Sequence, residues 1–285
     1  MRSPLVDAAA LHRRIAAAPP VILDIRWTLA TGAQPDAYER GHIPTAVFVD
    51  LDAELSAPAG RGGRHPLPTG EAFAAAMNRA GVRADRDVVV YDDANGLPAA
   101  RAWWLLRYFG QRRVALLDGG LAAWVAAGYR LQAGSVRAAS PGAFTAKPGG
   151  MPVLDADGAG ALAAAGILLD ARAPERFTGE HEPMDPVGGH IPGARNWPMG
   201  RNLDPDGRFL APDVLAAGLR ELTDALGDHP GASDYGAYCG SGITAAHAVL
   251  ALELAGIQAA LYPGSWSEWV TDPARPVATG REQPA

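Results

Sequence analysis

The chain has 285 residues, of which 48% are hydrophobic and 20% charged, with a formal net charge of -6. This is the balance of a soluble globular protein with length for two ordinary domains. It argues against nucleic acid as the main partner, because no basic stripe is available to neutralise phosphates, and no run approaches the roughly 18 apolar residues of a membrane span.

In chain order, Met1–Asp7 leads into a helix-like segment in which His12, Arg13 and Arg14 interrupt any signal-peptide core. The single cysteine, Cys239, leaves nothing for an internal disulfide or a thiolate metal cluster and fits a reducing compartment. A cytoplasmic protein is expected. Val21-Ile22-Leu23-Asp24-Ile25-Arg26 reads as a buried strand and Val47-Phe48-Val49 as a second, separated by a polar segment and Gly41-His42-Ile43-Pro44. After a Gly-, Arg- and Pro-rich loop over 57–68, Thr69 caps a helix through Ala80 that Gly81 ends. A strand over 88–91 runs into Asp92-Asp93-Ala94-Asn95-Gly96, followed by a helix over 98–109 with proline at its start. A strand over 114–117 then leads through Asp118-Gly119-Gly120 to a helix containing Trp124.

The second half repeats this order. Leu23-Asp24-Ile25-Arg26 returns as Leu169-Asp170-Ala171-Arg172, an offset of 146 from Asp24 to Asp170. Gly-His-Ile-Pro returns at 189–192, offset 148 from His42 to His190, and the Gly-Gly…Trp124 segment returns as Gly264-Ser265…Trp269, offset 145. Matches at nearly one period indicate a duplicated domain. Alternating strands and helices make each copy an α/β domain with a mostly parallel sheet covered by helices on both faces. The first copy spans 1–132 and the second 151–285, and the Ala-, Gly-, Ser- and Pro-rich stretch 133–150 reads as a linker.

The repeat separates folding requirements from chemistry. His42 and His190, present in both copies, read as turn-forming fold residues, and Asp24/Arg26 and Asp170/Arg172 as strand-end hydrogen-bonding pairs. The copies differ where Asp92 stands opposite Cys239, an offset of 147. Cys239-Gly240-Ser241-Gly242-Ile243-Thr244 joins the strand ending at Tyr238 to an apolar helix over 244–255, which Gly256 stops. In parallel sheets ligands sit beyond the carboxyl ends of the strands. Glycines at a helix N-terminus let successive N–H groups point at an anion, a placement that contributes roughly 0.3–1 kcal/mol through the helix dipole. Direct hydrogen bonds from Gly240, Gly242, Ile243 and Thr244 must supply the rest. The second copy is therefore expected to hold a nucleophilic thiolate, with the first as a non-catalytic cover. A cysteine phosphatase would need arginine six positions after the nucleophile, and that position is Ala245.

Gly-His-Ile-Pro in both halves, the Cys239–Ala245 loop and Gly264-Ser265-Trp266-Ser267-Glu268-Trp269 together resemble the rhodanese superfamily over nearly the whole chain. The likeness is to its two-domain thiosulfate and 3-mercaptopyruvate sulfurtransferases. The resemblance implies two tandem rhodanese-like domains, an inactive first and a catalytic second, and a persulfide on Cys239. It further implies that Ser241 is linked to His65 and Asp52, and that Arg176 binds the donor's anionic end. A surface salt bridge is the alternative for Arg176. A second arginine usual before Gly-His-Ile-Pro is missing from Glu182-Pro183-Met184-Asp185-Pro186-Val187-Gly188. Trp266 and Trp269 are candidates for the cleft wall or the core.

The expected reaction is sulfur transfer from a small anionic donor, 3-mercaptopyruvate or thiosulfate, to a thiol or cyanide, with no metal and no organic cofactor. A non-catalytic sulfur-carrier or regulatory module is the rival reading, and a cysteine phosphatase the weaker one.

Overall fold

The protein is described here by a computed structural model covering residues 3–225 and 235–280. Met1 and Arg2, at the head of the segment read for a leader, lie outside that range. The chain divides into two units, one of Met1–Ala57, Leu67–Met151 and Asp206–Arg208, the other of Pro58–Pro66, Pro152–Pro205 and Phe209–Ala285. Among the described residues no helix is long and apolar enough to cross a membrane.

The first unit carries β1 (Leu5–Val6), β2 (Val21–Asp24), a short hairpin of β3 (Trp27–Thr28) and β4 (Gly32–Ala33), then β5 (Val47–Phe48), β6 (Val88–Tyr91) and β7 (Val114–Leu117). Its main sheet has the order β1-β7-β6-β2-β5, every pairing parallel. The second unit carries β8 (Ile167–Asp170), β9 (Arg195–Asn196), β10 (Tyr235–Tyr238) and β11 (Ala259–Leu261) in the parallel order β11-β10-β8-β9. Successive strand residues face opposite sides of a sheet, and β6, β7 and β8 are buried at every position. Both faces are therefore covered, which is why these strands read as continuous apolar runs. In the first unit Ile22, Val89 and Ala115 pack with Leu11 and Trp124, and in the second Leu168 and Tyr238 pack with Ala159, Phe177, Trp266 and Trp269.

The elements shared by the two copies do the same structural work in each. Arg26 forks onto Asp24 with Nη2 at 2.9 Å and also reaches the carbonyl of Gly41. Arg172 forks onto Asp170 with Nη2 at 2.6 Å and reaches the carbonyl of Gly189. His42 Nδ1 lies 2.9 Å from the carbonyl of Tyr38, and His190 Nδ1 lies 2.8 Å from that of Phe177. Burial pushes the imidazole pKa of His190 down.

Three stretches differ from the sequence reading, the shortest being 206–208, which that reading places in the second copy and which clusters with the first unit. Residues 58–66, assigned there to the first copy, cluster with the second unit, where Arg64 donates its backbone N–H to Ser267 Oγ at 3.0 Å. The stretch 133–150 is packed rather than free: Phe144 is buried, its N–H and carbonyl both bonded to the side-chain amide of Asn78. Weak periodicity signalled a linker, but one asparagine can satisfy an irregular backbone.

Candidate active site

The Cys239 loop is fixed from both ends. On the strand side, the hydroxyl of Tyr238 accepts the N–H of Ile191 at 3.1 Å, tying the Gly-His-Ile-Pro turn to the residue before Cys239. On the helix side, Gly242 occupies the left-handed region (φ 80°) as N-cap of helix Ile243–Leu254. A Cβ there would stand 2.3 Å from the carbonyl oxygen of Pro263, so only glycine fits. Helix Ser265–Trp269 clamps the loop backbone, with Trp266 N–H on the Cys239 carbonyl at 2.9 Å and Ser267 N–H on that of Gly240 at 3.0 Å. Ser265 Oγ accepts the Cys239 N–H at 3.1 Å and donates to the Tyr262 carbonyl at 2.9 Å.

Within this frame Cys239 is buried and its Sγ accepts the Gly242 N–H at 3.2 Å. The first turn of the following helix adds N–H groups with no acceptor inside the helix. In that turn Ile243 is buried and Thr244 half-buried. Ala245 is fully buried and no guanidinium comes from its position.

Ser241 Oγ and His65 Nδ1 are 2.8 Å apart, both in the second unit. Asp52 belongs to the first unit, where its Oδ2 accepts the indole N–H of Trp27 at 2.9 Å. Arg176 stands beside the loop but is engaged: Nε and Nη2 bond Glu182 at 2.8–3.1 Å, and Nη2 lies 3.2 Å from Asp185. At 15% side-chain exposure the Arg176–Glu182 pair is not a surface one. Burial would raise the Glu182 carboxyl pKa, but the hydrogen bonds from Arg176 and the Met184 N–H outweigh it and hold it below the ordinary value. Trp266 and Trp269 are both core residues, their indole N–H groups on the carbonyls of Val187 and Pro276.

Sequence reasoning missed four residues here. Ser265 appeared only inside a motif, and its positive φ of 56° leaves no trace in residue type. Glu182 and Asp185 were read for the arginine they are not. Arg64 was passed over beside His65, although its guanidinium joins that of Arg176 against Gly240: a Cβ at 240 would meet Arg64 Nη2 at 2.8 Å and Arg176 Nη1 and Nη2 at 3.4 Å.

The fold and site define a duplicated parallel α/β domain with a buried cysteine at a strand-to-helix anion loop in one copy. Residues 7–127 and 155–272 each match the rhodanese-like domain family. A Pseudomonas aeruginosa protein provisionally named a 3-mercaptopyruvate sulfurtransferase is 48% identical over 285 residues, covering 97% of this chain and 98% of that one. A Mycobacterium tuberculosis protein with the provisional name thiosulfate sulfurtransferase is 49% identical over 293 residues, covering 97% of each. The crystal structure of Escherichia coli SseA, described as a 3-mercaptopyruvate sulfotransferase, superposes with a TM-score of 0.79 at 34% identity, over 93% of this chain and all of that one. The chain belongs to the rhodanese family, with two tandem domains, and is a sulfurtransferase.

Proposed function

We propose that the protein moves sulfur by double displacement through Cys239, taking it from 3-mercaptopyruvate or thiosulfate and passing it to a thiol or cyanide. The observation that carries this reading is the Cys239 sulfur accepting the Gly242 N–H at the mouth of a helix. Such donors favour a thiolate and, after transfer, an anionic persulfide in the same cradle. The loop amides of Gly240, Gly242, Ile243 and Thr244 form the wall of that cradle.

In the first half-reaction the thiolate attacks the donor's terminal sulfur. A sulfur–sulfur bond forms to Cys239. With thiosulfate the old S–S bond breaks and its electron pair leaves on sulfite. With 3-mercaptopyruvate the C–S bond breaks and its pair leaves as the enolate of pyruvate, which takes up a proton. In the second half-reaction an acceptor thiolate or cyanide attacks the outer sulfur and returns Cys239 as thiolate.

Only the 3-mercaptopyruvate route needs a proton moved at the donor, and the Ser241–His65 contact supports that route. In this reading Ser241 passes the proton at its Oγ, His65 positions and relays it, and Arg176 orients the donor's anionic end. Asp52, whose Oδ2 also accepts the Trp27 indole N–H, is the carboxylate this reading assigns to the proton relay. The donor and acceptor are small molecules or thiols, and the reaction as written needs no metal or organic cofactor.

Mass spectrometry of the intact protein after separate exposure to 3-mercaptopyruvate and thiosulfate tests the reading. A sulfur adduct on Cys239 that cyanide discharges is the expected result. Absence of an adduct from both donors, in protein with a free thiol, rejects it and returns the carrier or regulatory alternative.

A further inference from the structure

Beside the Cys239 loop, three guanidinia and three carboxylates from the second unit are gathered with unequal commitments. Asp170 holds Arg172 through both oxygens, deep in the core. Glu182 collects donors from Arg176, from Arg172 at 3.3 Å, and from the backbone N–H groups of Met184 and Asp185. Asp185 differs. Its carboxylate is only 3% exposed, yet it takes one oxygen to Arg64 Nη1 and the other to Arg176 Nη2, with no third side-chain donor among the described residues. Two guanidinia, each giving one bond to one oxygen, form the arrangement that grips a free carboxylate or a sulfur oxyanion.

The place is right for a donor. Both guanidinia close on Gly240, the residue after the cysteine, where even a methyl group would collide with Arg64. Arg64 also keeps its Nε buried with no hydrogen-bond partner among the described residues, an N–H that costs free energy as it stands. Asp185 sits in an irregular stretch between Pro183 and Pro186, with Met184 and Val187 exposed on either side. Glu182, held by its several donors, keeps Arg176 in position independently of the Asp185 carboxylate.

We propose that Arg64 and Arg176 together form the donor's anion site and that Asp185 is an internal carboxylate occupying it, displaced when an anionic donor binds. Arg64 thereby supplies the second guanidinium absent from 182–188. Asp185 sets selectivity: an anion enters only if it binds the paired guanidinia better than the protein's own carboxylate does. The inference rests on the sulfur-transfer reading for its meaning, but the binding step is testable without any transfer.

Calorimetric titration of the full chain with pyruvate and, separately, with inorganic sulfate provides that test, since neither delivers sulfur. Asp185→Asn, and Asp185→Ser as a second variant that leaves space rather than an amide, are expected to bind at least one anion about tenfold more tightly than the unaltered protein. Arg64→Gln is expected to bind about tenfold more weakly, each tenfold corresponding to about 1.4 kcal/mol. With Arg64→Gln in the background, Asp185→Asn should lose most of its gain, because the competing carboxylate then has one guanidinium fewer. Pyruvate responding alone marks a carboxylate donor, and sulfate alone a sulfur oxyanion. Unchanged or weaker binding of both anions in both Asp185 variants overturns the proposal and makes Asp185 a structural clamp for the arginines. Tighter anion binding without a Cys239 adduct would instead reject sulfur transfer and leave the anion site standing.

Discussion

The two strand-to-helix loops of the duplicated domain have one frame and opposite contents. In each, a tyrosine ends the strand and its hydroxyl accepts the N–H of the isoleucine in Gly-His-Ile-Pro at 3.1 Å. Each ends on a left-handed glycine, Gly96 at φ 83° and Gly242 at φ 80°, capping a helix of 12 residues. In the first loop Asp92 fills the cradle with its own carboxylate, Oδ1 accepting the N–H groups of Ala94 and Gly96 at 2.8 and 2.9 Å and Oδ2 that of Ala99 at 2.8 Å. In the second the same strand position holds Cys239, whose sulfur takes one N–H. The spacing differs as well: the cap lies four residues after Asp92 but three after Cys239. An anion cradle is thus common to both, and chemistry depends on which atom occupies it and how tightly the chain closes around that atom.

The largest effect comes from exchanging the occupants. Cys239→Ser should lower sulfur transfer by at least about a thousandfold while the fold persists, because a hydroxyl in place of the thiol is far less able to act as the nucleophile. Cys239→Asp should be equally inactive, turning the second loop into a copy of the first. The converse, Asp92→Cys in a Cys239→Ser background, should acquire no cyanide-labile sulfur in mass spectrometry, since the longer loop does not close on the sulfur. Appearance of such an adduct would show that the extra residue is immaterial.

Next in size is a pH effect confined to the first loop. Burial, the dominant influence, pushes the Asp92 carboxyl up from 3.8 to about 6, against the three N–H groups that favour its charge. The folded state then binds this proton more readily than the unfolded chain does, so the contribution is fully present below pH 3.8 and lost as pH rises through about 6. A shift of about two units corresponds to on the order of 3 kcal/mol. Hydrogen exchange at Ala94, Gly96 and Ala99, corrected for intrinsic rates, should report easier opening at pH 7 than at pH 4.5. Greater protection at pH 7 would contradict the assignment. The amides of the Cys239 loop, which face no buried carboxylate of this kind, are the internal control.

Much of this comparison was legible in the sequence because it rests on residue identity at a fixed period. Asp24/Arg26 and Asp170/Arg172 could be recognised as paired features, and the thiol opposite a carboxylate marked the copy with chemistry. What stayed hidden depends on geometry at long sequence distance. Arg64 lies 176 positions before Gly240, and nothing in Arg64-His65-Pro66 tells which unit the segment joins. Asp185 was visible only as a missing arginine, since whether a carboxylate neutralises a guanidinium or faces solvent depends on the turn that carries it. Ser265 was hidden for a different reason: its role lies in a backbone angle.

That angle gives the smallest and most local effect. Ser265 and Gly120 occupy equivalent places, both at φ 56°. Glycine adopts this conformation freely, whereas serine bears a cost of roughly 1–2 kcal/mol. Gly120 needs no side chain because the Asp92 loop is filled from within, and a Cβ there would stand 2.5 Å from the Asp92 carbonyl. Ser265 accepts the strain and in return offers Oγ to the Cys239 N–H, anchoring the residue that carries the sulfur. Ser265→Gly and Ser265→Ala lose that anchor equally, so both should slow persulfide formation by a similar factor, about tenfold. Only glycine also relieves the strain, and it should therefore leave the protein about 1 kcal/mol more stable than alanine does in urea unfolding. Equal stability of the two variants would show that the left-handed angle is not strained, and an unaltered rate in both would show that the Cys239 N–H needs no fixed acceptor.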